Sequence, residues 1–159
     1  MLYDFNANEI LQMAEQLERN GAEFYRKSME KIQDPAGKEL LLNLAEMEDQ
    51  HEKTFAALRS KLTADEKAQT VFDPEGESVG YLKALADSKV FFEKTIDTDS
   101  MEGILKEAIT AEKDSILFYL GLKDVVPEAL GKDRVDAVIK EEMAHINLLT
   151  RELVALKKG

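Results

Sequence analysis

The sequence predicts an all-α protein, a four-helix bundle built from two duplicated helical hairpins with a long helix-containing crossover between them. Three observations carry this. Apolar residues recur at helical spacing through most of the 159 residues, only three prolines and eight glycines interrupt them, and the second half of the chain repeats the first at one fixed offset. No alternation of period two is long enough to read as a strand.

The first helix is expected to start at Asn6 to Asn8, with asparagine as its cap and Glu9 in its first turn, and to run to about Ile32, where "QDPAG" breaks it. Pro35 suits the first turn of a second helix that reaches about Leu62. Residues 63–99 are the crossover. There "TADE" has capping-box spacing, "FDPEGES" is loop-forming, and a short amphipathic piece spans about Ser78 to Phe92. A third long helix is expected from about Ser100 to Val125, stopping at Pro127, and a fourth from about Lys132 to Leu156. Residues 1–159 together read as one domain, large enough for a sizeable core.

Composition narrows the function. Hydrophobic residues are 44% and charged residues 33%, ordinary for a globular protein. No apolar run approaches the roughly 20 residues of a membrane span, and the N-terminal "MLYDFNANE" is acidic where a signal peptide is basic. The expected location is cytoplasmic, without a membrane partner. Cysteine is absent, which excludes disulfides, thiolate metal sites, an iron–sulfur cluster and a catalytic thiol within this chain. A net charge of −11 argues against nucleic acid as a partner. No P-loop, dinucleotide glycine pattern or Ser-His-Asp constellation is visible.

The two histidines are the sharpest feature. Glu48 precedes His51 by three residues, and Glu142 precedes His145 by three. An offset of 94 residues superposes these pairs and lays "ILQMAEQLERNGAEFY" (10–25) over "ILKEAITAEKDSILFY" (104–119), matching Glu18 with Glu112, Phe24 with Phe118 and Tyr25 with Tyr119. It also matches Gly37 and Lys38 with Gly131 and Lys132.

Residues three apart lie on one face of a helix, so each Glu and His can reach one centre together. In the second helix they fall within the stripe Leu44, Glu48, His51, Phe55, Leu58, and in the fourth within Val138, Glu142, His145, Leu149. Glu18 lies among Ile10, Ala14, Leu17, Gly21, Phe24 and Ser28, and Glu112 among Ile104, Ala108, Ala111, Ser115 and Tyr119. Four inward carboxylates repel one another and are costly to desolvate, so something must neutralise them. Two divalent cations balance four carboxylates, with neutral imidazoles as further donors. This is the ligand set of di-iron and di-manganese carboxylate bundles. The candidate metal ligands are therefore Glu18, Glu48, His51, Glu112, Glu142 and His145. The competing structural explanation is an exposed Glu–His contact on each of two acidic helices.

Glu23 competes with Glu18 but points elsewhere around the helix and matches Leu117 in the repeat. Glu15 is expected to be solvated, and Met13, Met47 and Met143 to fill the core. Tyr25 and Tyr119, two turns after Glu18 and Glu112, are candidate catalytic-site residues that hydrogen-bond to ligand carboxylates from the neighbouring helix. Plain aromatic packing explains them equally well.

Through "ExxExxGxxFY" (Glu15, Glu18, Gly21, Phe24, Tyr25), "EMEDQH", "AEKDSILFY" and "EEMAH", the sequence from about Glu9 to Leu156 resembles the rubrerythrin-like branch of the ferritin-like superfamily. The resemblance implies a ferritin-like bundle holding two iron ions bridged by Glu48 and Glu142, one completed by Glu18 and His51, the other by Glu112 and His145. It further implies reduction of hydrogen peroxide or dioxygen, a role in oxidative stress. Two departures stand out. Full-length rubrerythrins carry a rubredoxin-like domain, so here electrons must come from an external donor, rubredoxin-like or a flavoprotein. The family's additional carboxylate three residues after the terminal one is Ser115 in this chain. Alternatives are a ferroxidase that handles iron and a redox-inert metal-binding bundle, since nitrogen and oxygen donors also accept manganese or zinc. The expected assembly is a homodimer formed through an exposed helix face.

Overall fold

A computed structural model describes residues 7–62, 80–82, 84, 100–126 and 131–159. Four long helices hold nearly all of them: α1 (Ala7–Glu30), α2 (Pro35–Ser60), α3 (Met101–Val125) and α4 (Lys132–Lys158). No strand occurs among the described residues. The expected crossover lies outside them except at residues 80–82 and 84, which are helical, and so do the expected Asn6 cap and the stop at Pro127.

The helix ends follow from local chemistry. Asp34 caps α2, its Oδ2 accepting the Gly37 N–H at 3.0 Å, and Pro35 occupies the first turn. Ser100 caps α3 in the same way, accepting the Gly103 N–H at 3.0 Å. Helices α1 and α2 each end two residues before their expected ends. The N–H of Lys31 turns back to the Ser28 carbonyl, and those of Lys61 and Leu62 to Leu58 and Arg59, so the last turn tightens to three-residue spacing.

Gly37 and Gly131, matched in the repeat, take different roles. Gly37 sits inside the first turn of α2, whereas Gly131 precedes α4 with a left-handed φ of 116° and accepts the N–H groups of Arg134 and Val135. Its missing side chain matters twice, because a Cβ there would also stand 2.6 Å from Cδ2 of buried Leu58.

Each hairpin, α1 with α2 and α3 with α4, packs most extensively on itself, and the hairpins meet along α1–α3 and α2–α4. The interior has two apolar layers. One contains Ile10, Leu11, Ala14, Leu17, Phe55, Leu58, Phe118, Leu122, Val135 and Val138. The other contains Tyr25, Leu41, Leu44, Ala45, Ile104, Leu105, Ala108 and Leu149. Along every helix the two are separated by the segment that carries the candidate ligands.

Gly131→Ala is expected to destabilise the protein by about 1–3 kcal/mol, since alanine is strained at this φ and its methyl group intrudes on Leu58. Urea unfolding that gives the same stability for variant and parent would contradict this reading of the turn.

Candidate metal centre

The segment between the apolar layers holds Glu18 from α1, Glu48 and His51 from α2, Glu112 from α3, and Glu142 and His145 from α4, all buried. Helical spacing alone delivers them: each belongs to the same inward stripe as the core residues one or two turns away. The structure brings all six sequence-predicted positions together. Glu23 instead faces solvent and pairs with Lys27.

His51 Nδ1 lies 3.1 Å from Glu142 Oε1, 3.5 Å from Glu18 Oε2 and 3.6 Å from Glu48 Oε2. His145 Nδ1 lies 3.2 Å from Glu142 Oε2, 3.4 Å from Glu112 Oε1 and 3.8 Å from Glu48 Oε1. The two imidazoles stack with centroids 5.8 Å apart. Donor atoms lying within 4.8 Å of one another form two groups: Glu18, Glu48, His51 and Glu142, and Glu48, Glu112, Glu142 and His145. Glu48 and Glu142 belong to both.

The tyrosines hydrogen-bond across the hairpins. Tyr25 on α1 donates to Glu112 Oε1 at 2.6 Å, and Tyr119 on α3 donates to Glu18 Oε1. Both tyrosines are buried, their hydroxyls at the cluster rather than at a bundle edge, while their rings pack against Phe24 and Phe55. The outer nitrogens of the histidines also have partners. His51 Nε2 lies 2.5 Å from Glu141 Oε2, and His145 Nε2 lies 3.3 Å from Met47 Sδ.

The electrostatics are those of crowded acids. Burial and the neighbouring Glu142 push Glu18 up to about 7. Burial, with repulsion from Glu48 and Glu112, pushes Glu142 up to about 8, and burial with repulsion from Glu18 and Glu112 carries Glu48 well above the usual range. Glu112 goes the other way. Burial raises it, but hydrogen bonds involving Glu142, His145 and Tyr25 prevail and bring it down to about 2. Burial lowers both histidines, yet carboxylates around them prevail: His145 rises to about 10 through Glu112 and Glu142, and His51 rises further through Glu142, Glu18 and Glu48. Burial and the adjacent acids hold both tyrosines well above the usual phenol value, so they remain hydrogen-bond donors.

Does the cluster fit metal ions? Glu18 Oε2 is buried, has no hydrogen-bond partner among the described residues, lies 3.5 Å from His51 Nδ1 and shares its donor group with Glu48. An oxygen in that condition needs a cation or a proton. Gly21 keeps the wall beside Glu48 thin, since a Cβ there would already be in contact with Cγ and Cδ at 3.5 Å. Oxygen and imidazole donors in groups of four suit a divalent cation.

Three expectations need correction. Glu15 is buried, not solvated, because Arg59 reaches it from α2 with Nε 2.6 Å from Oε2 and Nη2 3.1 Å from Oε1. Met47 and Met143 are exposed, not core filler, since each lies on the flank of its helix beyond the inward stripe; Met13 does pack against the core. Sequence reasoning missed Glu141. Its only signal was its place in the repeat, matched to Met47.

A family model for rubrerythrin matches residues 9–153. Among solved structures, a crystal structure from Thermotoga maritima, described as a candidate ferritin-like diiron-carboxylate protein, superposes with a TM-score of 0.72 at 25% identity, covering 95% of this chain and 96% of that one. No curated protein matches the chain.

The perturbed acids make metal-free stability depend on pH with a definite sign. Above 4.5, up to about 7 for Glu18 and about 8 for Glu142, the folded state holds protons that the unfolded chain has released; His145 extends this to about 10. Stability therefore falls as pH rises through that window, and Glu112 opposes the trend only between about 2 and 4.5. With chelator present, the melting temperature is expected to be lower near pH 8.5 than near pH 6, and excess Zn²⁺ should raise it most at the higher pH, where fewer protons compete. A metal-free melting temperature that climbs across this range would rule out the protonated cluster.

Proposed function

The chain belongs to the rubrerythrin family, and from that membership we propose that it is a di-iron oxidoreductase reducing hydrogen peroxide or dioxygen with electrons from a separate donor. The observation that supports this most is the pair of four-residue donor groups sharing Glu48 and Glu142. In this reading Glu48 and Glu142 would serve both ions, Glu18 and His51 would help hold one, and Glu112 and His145 the other. The bound irons would supply two electrons, which with two protons convert one peroxide to two waters.

The rest is the work of this chain's residues. Tyr25 and Tyr119 hold the terminal carboxylates from the opposite hairpin and keep a proton beside each. The two apolar layers limit water around the cluster. These 159 residues include no cysteine to hold an iron–sulfur centre, and in this reading the electrons come from a separate donor. Ser115, half-buried one turn beyond Glu112, adds no carboxylate, and the donor set among the described residues is four glutamates and two histidines.

Anaerobic loading with ferrous iron is expected to give about two ions per chain, with an oxo-bridged ferric band developing on addition of peroxide or air. Glu48→Ala or Glu142→Ala should weaken binding of both ions, whereas His51→Ala should lower the content to about one. Equal metal content in parent and all three variants would remove these residues from the site. Retention of zinc with no optical change after iron loading would favour the redox-inert bundle.

A further inference from the structure

We propose that Glu141 and Met47 make the two halves of the centre unequal, so that the half built on His51 takes up a divalent cation before the half built on His145. The inference rests on the metal-centre reading above and concerns the order of filling, which that reading leaves open.

Met47 and Glu141 occupy the same position in the two repeats, each immediately before a shared glutamate. Each crosses to the helix of the other hairpin and meets the outer nitrogen of the histidine there. The contacts match in place and differ in chemistry. With Nδ1 of each ring turned into the cluster, Nε2–H of His51 donates to a carboxylate at 2.5 Å, while Nε2–H of His145 meets a thioether sulfur at 3.3 Å. A carboxylate is a charge-assisted acceptor and a thioether a weak one. A carboxylate on the outer nitrogen fixes the ring and its tautomer and strengthens the inner nitrogen as a donor to metal.

The Glu141 side chain is 52% exposed, so solvent screens its charge, but the directional bond to a ring only 3% exposed remains. The tyrosine contacts do not offset the difference. Tyr119 supports Glu18 on the His51 side just as Tyr25 supports Glu112 on the His145 side. The outer partner of the histidine is therefore one place where the two repeats diverge at the centre, and Glu141 acts as a positioning residue for His51.

The test is anaerobic titration of the whole chain with Co²⁺, followed by calorimetry and by its visible absorption. The parent is expected to bind two ions in steps about 10-fold or more apart in affinity, and His51→Ala should abolish the tighter step. Glu141→Met should weaken the tighter step by about 10–100-fold and merge it with the other, and Met47→Glu should strengthen the weaker step and narrow the gap from the opposite side. A proton magnetic resonance spectrum of the cobalt protein gives a readout that general loosening would not mimic: the shifted, exchangeable His51 N–H signal should exchange faster in Glu141→Met while that of His145 stays unchanged. Two indistinguishable steps in the parent, loss of the weaker step in His51→Ala, or equal weakening of both steps in Glu141→Met would each overturn the inference while leaving the metal centre intact. Failure of the parent to bind cobalt at all would overturn both.

Discussion

The structure turns on one constraint: four glutamates and two histidines are buried in a single polar layer between two apolar ones. Isolated charges in such a place are prohibitive, so the layer exists only if its groups satisfy one another and something positive is shared among them. Without a metal, protons do this, which is why the histidines and three of the four carboxylates are driven upward. Cations do it with less compromise, because they answer several oxygens at once. The apolar layers are the other half of the arrangement, since they carry the burial that offsets the cost of the polar one.

The layer also explains why two hairpins make one bundle. Each hairpin carries two glutamates and a histidine, and neither completes a four-residue donor group by itself. The first borrows Glu142 and the second borrows Glu48. The tyrosines repeat the exchange, each leaving its own hairpin to hold a carboxylate of the other, and so do Glu141 and Met47 at the histidines. A contact that one repeat unit makes to its neighbour is returned by the neighbour, which is what a duplicated unit docked about an approximate two-fold relation must produce.

Most of this was legible in the sequence because it depends on periodicity. Helix identity, the inward stripes and the convergence of Glu18, Glu48, His51, Glu112, Glu142 and His145 all follow from 3.6-residue spacing and the 94-residue repeat. What escaped depends on neighbours that periodicity does not name. Glu15 lies on the edge of the α1 stripe, and only Arg59, on another helix, decides that it is buried. Met47 and Met143 are apolar, yet both remain exposed, Met47 even where its sulfur reaches His145. Glu141 reads as one more surface acid on an acidic helix until α2 places His51 beside it.

Glu15 supplies the contrast that separates structure from function here. It is as buried as the four site glutamates and lies less than one turn from Glu18 on α1, but it has a protein cation of its own, held by two hydrogen bonds from Arg59. Among the described residues the ion pairs of Glu18, Glu48, Glu112 and Glu142 are with His51 and His145 alone, groups that serve equally as neutral metal donors. A fold that needed these acids only for packing or specificity has the means to give each an arginine, as it does for Glu15. Leaving four carboxylates together with only imidazoles and two neutral phenols for company, one oxygen without a hydrogen-bond partner among the described residues, makes sense where the missing positive charge comes from outside the chain.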